Sequence, residues 1–180
     1  YILILREYFS MKIVVLKFGG TSVGTIEKIK KVVEIIREYK RKNYKVIVVS
    51  SAMSGVTNEL IKKSRKISEN FSESEYDVLV SSGEQVASSL IAGRLIHKGI
   101  KSRSWLAWQI PIHTKGVHKN SRINQINKNK IIKYLKDGGL PIIAGFQGIN
   151  DEERITTIGR GGSDASAIML AKFFKAQRCV

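Results

Sequence analysis

Short, nearly continuous aliphatic runs alternate along this chain with stretches in which apolar residues recur every three or four positions. Ile13 to Phe18 (IVVLKF), Val46 to Ser50 (VIVVS) and Leu140 to Gly145 (LPIIAG) are bounded by glycine or polar residues, a pattern that predicts strands buried on both faces. Between the first two, Ile26, Ile29, Val32, Val33 and Ile36 fall at helical spacing within Thr25 to Lys42, which predicts a helix and completes a βαβ unit. Further helices are expected at Thr57 to Ser68 and at Glu75 to Lys98, the latter with Leu79, Val86, Leu90, Ile91 and Leu95 on one side. Two more are expected, one at Arg122 to Lys136, stopped by Gly138 and Gly139, and one from Asp164 to Lys175. Lys101 to Leu106 and Arg154 to Ile158 read as weaker strands, and the NFSESE segment at 70–75 reads as a polar loop. Strands alternating with helices imply an α/β domain with a mostly parallel sheet and helices on both faces.

In such a sheet, ligands collect at the carboxyl ends of the strands. The first loop there is KFGGTSVG, Lys17 to Gly24. Adjacent Gly19 and Gly20 let backbone N–H groups approach a phosphate, Thr21 and Ser22 add hydroxyls, and Lys17 offers a point charge to a transferring phosphoryl group. The same pattern fits an ordinary turn, and it is neither a GxxxxGK[ST] nor a GxGxxG motif. In SSAMSGVTNEL, Ser50 to Leu60, Thr57 or Asn58 can cap a helix, or Ser51 and Thr57 can donate to a small polar ligand. Glu84 of the SSGE segment, Ser81 to Glu84, is either an exposed helix residue or a buried carboxylate held for an ammonium. In ITTIGRGGSDASA, three glycines leave Arg160 suited to bidentate capture of a carboxylate or phosphate, or else form an unconstrained surface turn. Ser163 or Asp164 would cap the following helix, and Asp164 could orient Lys17.

Composition narrows the classes without choosing among them. The 180 residues fit one domain with a core of its own. No segment approaches the roughly 18 apolar residues of a membrane span, so no membrane role is expected. A single cysteine, Cys179, excludes an internal disulfide and any CxxC site, and points to a reducing, cytoplasmic setting. The three histidines have no carboxylate or cysteine partner at ligand spacing, so no metal site is expected. Trp105 and Trp108 are expected in the core. The net charge of +16 is unusual, but its lysines fall mostly on the polar sides of expected helices. That describes a solvated basic surface more than a specific nucleic-acid face. Residues 1–10 lack the basic start of a signal peptide and are set aside as a leader of unknown status, because MKIVVLKF at Met11 reads as a natural start.

Taken in order, KFGGTSVG, SAMSGVTNEL, SSGE and ITTIGRGGSD resemble the aspartate kinase branch of the amino-acid kinase superfamily from Met11 onward. Ala107-Trp108-Gln109 and Gly145-Phe146-Gln147-Gly148 match further family segments, whereas Thr114-Lys115 stands where the family has Thr-Asp. The resemblance implies a three-layer αβα sandwich of the amino-acid kinase or carbamate kinase-like type. It also implies transfer of the γ-phosphoryl group of ATP, with Mg²⁺, to the side-chain carboxylate of L-aspartate. The product, 4-phospho-L-aspartate, opens lysine, threonine and methionine biosynthesis.

By the same resemblance, Lys17 neutralises the transferring phosphoryl and Asp164 orders it, while Gly19, Gly20, Thr21 and Ser22 hold phosphate. Ser51, Thr57, Gly161, Gly162 and Ser163 contact substrate, Glu84 pairs with its ammonium, and Arg160 clamps its α-carboxylate. Family members continue with further nucleotide-binding segments and regulatory ACT domains. Residues 11–180 are therefore expected to be the amino-terminal, C-terminally truncated portion of the kinase domain, with apolar surface left exposed at the carboxyl-terminal edge. Open alternatives are a non-catalytic aspartate-binding or subunit-interaction fragment, and another amino-acid kinase acting on acetylglutamate or glutamate. A homo-oligomer or a complementing C-terminal fragment would complete the nucleotide side.

Overall fold

A strand that is apolar on both faces must be covered twice, and strand β1 (Ile13–Phe18) shows how this is done. Its Val14 and Leu16 face one way and its Ile13 and Val15 the other, and all four are buried. The computed structural model, which describes residues 11–159 and 161–180, places a helical layer on each side. On the first face, α1 (Ile26–Arg41) contributes Ile29, Val32, Val33 and Ile36, and α3 (Glu73–His97) contributes Ala87, Ile91 and Leu95. On the second, α4 (Asn129–Lys136) supplies Ile131 and Leu135, and α5 (Gly162–Phe173) supplies Ala167 and Leu170. The remaining helix, α2 (Val56–Ile67), lies against α3. This is the expected αβα sandwich.

The central sheet is parallel throughout, in the order β3 (Ser102–Trp105), β6 (Leu140–Ala144), β2 (Lys45–Ser50), β1 and β9 (Arg178–Cys179). All five strands therefore end on the same side. There the Ser51 N–H donates to the Phe18 carbonyl at 3.0 Å and the Gly145 N–H to the Ser50 carbonyl at 3.0 Å.

A second, mixed sheet of four short strands lies beside it. Its order is β5 (Arg122–Ile126), β4 (Ile112–Lys115), β7 (Gln147–Ile149), β8 (Ile155–Thr157). Here the expected helix over 122–136 is corrected: its first part is strand β5, and only 129–136 is helical. Antiparallel pairing with β4 sets Ile126 opposite Ile112 and buries both. The Asn127 side chain accepts the Asn129 N–H at 3.1 Å just ahead of the helix. Cross-strand pairing has overridden local helical spacing.

Other expectations shift as well. Helix α3 begins at Glu73, inside the segment read as a loop. Its buried side runs through Asp77, Val80, Glu84, Ala87, Ile91 and Leu95, while Val86 and Leu90 of the expected apolar face are exposed. Ile26 is also exposed. Trp105 is buried as expected, but Trp108 is 55% exposed. Lys115 is exposed, while its neighbour Thr114 is buried and hydrogen-bonds the Ile149 carbonyl at 3.1 Å and the Thr156 hydroxyl at 2.6 Å. Among the described residues, no helix is long and apolar enough to cross a membrane.

Because Ile142 is fully buried at the centre of β6, an interior strand of the central sheet, Ile142→Ala is expected to cost about 3 kcal/mol in urea denaturation. Ile168→Ala, on an exposed face of α5, is expected to stay within about 0.5 kcal/mol. Equal losses for the two would contradict the layering.

Candidate active site

The loops that follow β1 and β2 touch at their backbones. The Ser54 N–H donates to the Gly20 carbonyl at 3.1 Å, and a side chain at Gly20 would bring its Cβ to 2.9 Å from the Ala52 carbonyl oxygen. Gly19 is open for a different reason: a Cβ there would lie 3.3 Å from Lys17 Nζ. A residue other than glycine would crowd the ammonium. Lys17, near the end of β1, has a side chain 22% exposed and reaches Asp164 Oδ1 at 2.7 Å. Asp164 sits in the first turn of α5 with its side chain 64% exposed, so the pair lies at the rim and is solvated.

Glu84 occupies the opposite condition. It is 3% exposed, inside α3, and reaches the loop after β2, where its Oε1 accepts the Ala52 N–H at 3.0 Å. Its Oε2 is buried and has no hydrogen-bond partner. Burial pushes the Glu84 carboxyl up to about 7, against which the Ala52 amide pulls only partly. The neighbour that makes this reach workable is Gly83: a Cβ there would stand 2.7 Å from the Ala52 Cβ.

Lys17, Gly20, Ser51, Thr57, Glu84, Gly161, Gly162, Ser163 and Asp164 all line one cavity of about 320 Å³. The sequence reading thus named most of its wall. Gly19 lies beside Lys17 Nζ at the start of the loop; Thr21 and Ser22 are exposed outside the wall, and the Ser22 N–H is spent on the Gly19 carbonyl at 2.9 Å. Arg160 lies outside the described residues.

Neither Thr57 nor Asn58 caps α2, and neither Ser163 nor Asp164 caps α5. Both helices start instead from left-handed glycines, Gly55 (φ 85°) and Gly161 (φ 75°), with no side-chain cap. Two uncapped helix N-termini therefore open on the same cavity, and both favour an anion there. Phe146 also lines it. This residue holds φ at 66°, unusual for a bulky side chain. It is fixed by its N–H on the Ser166 hydroxyl (3.0 Å), its carbonyl under the Ile158 N–H (2.9 Å), and its ring, which fills the space a Cβ at Gly162 would take. The reading from sequence gave Phe146 no role in the site; the Gly145-Phe146 step after a strand was the available signal.

The wall thus offers one ammonium at the rim, two helix N-termini and one buried carboxylate with an unused oxygen. An amino acid presents the complementary set: an ammonium for Glu84 and carboxylates for the rest. A model of the amino acid kinase family matches residues 12–180. The chain belongs to the amino acid kinase family. It is 49% identical over 172 residues to the aspartokinase of Rickettsia conorii, a match covering 94% of this chain and 43% of that protein. The chain therefore spans less than half the length of that relative. Against the crystal structure of aspartate kinase from Synechocystis the TM-score is 0.79 at 37% identity, covering 92% of this chain and 27% of the other. The fold extends to carbamate kinase of Giardia, with a TM-score of 0.66 at 13% identity over 94% of this chain and 72% of that one.

The raised Glu84 carboxyl has a signed consequence. The folded chain retains a proton that the unfolded chain releases near pH 4.5, so this stabilisation is complete below pH 4.5 and lost as pH rises through about 7. The free energy of unfolding is expected to fall across that window by an amount on the order of 3 kcal/mol, seen as a falling thermal midpoint. Glu84→Gln is expected to remove that component, and a variant profile parallel to the parent's would refute the assignment.

Proposed function

We propose that the chain is the amino-acid-binding and phosphoryl-transfer portion of an aspartokinase, acting on L-aspartate with ATP. The observation that carries this reading is Glu84, a buried carboxylate with a vacant oxygen, in one cavity with the Lys17–Asp164 pair. Glu84 takes the substrate ammonium. The N-termini of α2 and α5, with Gly161, Gly162 and Ser163, take the α-carboxylate alongside Arg160, and Ser51 and Thr57 supply hydroxyls.

The side-chain carboxylate is already ionised at neutral pH, so no general base is needed. One of its oxygens attacks the γ-phosphorus of ATP, the bond to the β-phosphate oxygen breaks, and ADP leaves with 4-phospho-L-aspartate as product. What the reaction needs is alignment and charge neutralisation. Lys17, held by Asp164, neutralises the phosphoryl oxygens, and the backbone at Gly19 and Gly20 receives the phosphates. Among the described residues, no group of three or more His, Cys, Asp or Glu could hold a metal ion. In this reading Mg²⁺ accompanies ATP as its co-substrate and offsets phosphate charge. The 49% identity to an aspartokinase supports this reading, as does the single acidic group buried for the substrate ammonium, which the acetylglutamate alternative would leave unpaired. The same reading places the chain in the cytoplasm, at the entry to lysine, threonine and methionine biosynthesis.

A second reading rests on the extent of the match, 43% of the relative's length: the chain holds L-aspartate while a complementing fragment or a second copy holds the nucleotide. Trapping acyl phosphate as the hydroxamate, from MgATP and L-aspartate, tests both. Aspartate-dependent product is expected, falling about 10²–10³-fold in Lys17→Ala and disappearing in Arg160→Ala. L-Aspartate binding by calorimetry without product favours the second reading. Neither binding nor product overturns both.

A further inference from the structure

The threonine pair that opens ITTIGRGGSD is used inside the protein, away from the cavity. Thr156 bonds Thr114 across the second sheet, and the Thr157 hydroxyl donates to Asp77 Oδ1. Asp77 is fully buried on α3, seven residues before Glu84. Two helical turns separate them, so both carboxylates project from one face. Asp77 receives two more donors from the loop at 116–121: His118 Nδ1 lies 2.7 Å from Oδ2, and the Lys119 N–H lies 3.1 Å from both oxygens. The first turn of α3 reinforces that grip, because Glu73 Oε1 accepts from Lys119 Nζ at 3.1 Å and Tyr76 lies under the same ammonium.

This loop in turn packs on the start of the substrate segment. The Ser121 N–H donates to the Thr157 carbonyl at 3.0 Å, and a Cβ on Gly159 would meet Asn120 Oδ1 at 2.5 Å. One buried carboxylate therefore ties together α3, the 116–121 loop and the last residue of β8. From β8 the chain runs through Gly159 to Gly161, Gly162 and Asp164, which line the cavity with Glu84.

We infer that Asp77 is a positioning residue, acting through Thr157 and His118 to fix where the chain leaves β8 and so how far Gly161, Gly162 and Asp164 stand from Glu84. A buried carboxylate is costly unless its lone pairs are filled. Here the groups that fill them belong to the elements that must be held in place. That 159–164 contacts L-aspartate rests on the proposed function; the mechanical role of Asp77 does not.

The test separates the two. Hydrogen exchange is followed in the parent chain, in Thr157→Val, which keeps the shape and deletes the donor, and in Thr157→Ser, which restores it. Exchange at 158–164 is expected to accelerate at least tenfold in the valine variant and to stay near parental rates in the serine variant, with 13–18 and 45–50 unchanged in both. His118→Ala against His118→Asn, which can present a donor where Nδ1 stood, provides the same comparison from the half-buried loop side should the valine variant fail to fold. L-Aspartate affinity by calorimetry is expected to weaken at least tenfold in Thr157→Val and to recover in Thr157→Ser. A folded valine variant with parental exchange at 158–164 overturns the inference. Accelerated exchange in a chain whose parent form binds no L-aspartate keeps the positioning role and rejects the substrate assignment instead.

Discussion

The constraint on which the rest depends is the double burial of β1, β2 and β6. Strands with no polar face cannot carry chemistry along their length, so polar groups are confined to the loops at their ends. Because the strands are parallel, those ends lie on one side. The backbone bonds from Ser51 to Phe18 and from Gly145 to Ser50 then bring three loops within reach of one another. Lys17 marks the transition. It is the penultimate residue of β1, opposite Val49 in the register, and the first in that strand to carry its side chain toward solvent.

Within the site, charge is distributed by accessibility. The Lys17–Asp164 pair is solvated, so its attraction is screened and contributes little to stability. Its worth is geometric, since it holds an ammonium beside a glycine that leaves space in front of it. Among the described residues Glu84 bonds no counter-charge, and burial outweighs its one amide bond. The site therefore carries an unfavourable electrostatic state that a cationic group would relieve. Under the proposed function, that imbalance is what would select a ligand with an ammonium.

How legible all this was depended on the range of the determining interaction. The βαβ unit was readable because Ile13–Phe18 and the Ile29–Ile36 series carry their periods locally. The cavity wall was readable as a set of loops, and its main members were named from glycine, hydroxyl and charge patterns. The second sheet was not readable: its strands have three to five residues, and Arg122–Ile126 becomes a strand only by pairing with Ile112–Lys115. The glycine starts of α2 and α5 were missed because capping preference points to Thr57 and Ser163. With Gly55 and Gly161 at the cap positions, the first amides of both helices carry no side-chain cap. His118 found its carboxylate 41 residues away, a partner that no local spacing reveals.

Helix α3 shows why the apolar face expected from Val86 and Leu90 was the wrong one. Its buried stripe contains Asp77, Ser81, Gly83, Glu84 and Ser88, which a search for hydrophobic period rejects. Apart from the unpartnered Glu84 Oε2, its polar groups are answered by specific bonds. Asp77 takes three donors, the Ser81 carbonyl takes Gln147 Nε2 at 3.2 Å, and Glu84 takes the Ala52 amide. Gln147 then accepts the Ala107 N–H at 3.2 Å, carrying the line across to the turn before β4. A leucine in place of Asp77 or Glu84 would bury more apolar area but would leave the donors from Thr157, His118, Lys119 or Ala52 unpaired. Such a helix is held by matched polar contacts along one side and by Ala87, Ile91 and Leu95 further along. The first part fixes the loops and the second anchors the layer, so the element that looks least amphipathic connects the core to the site.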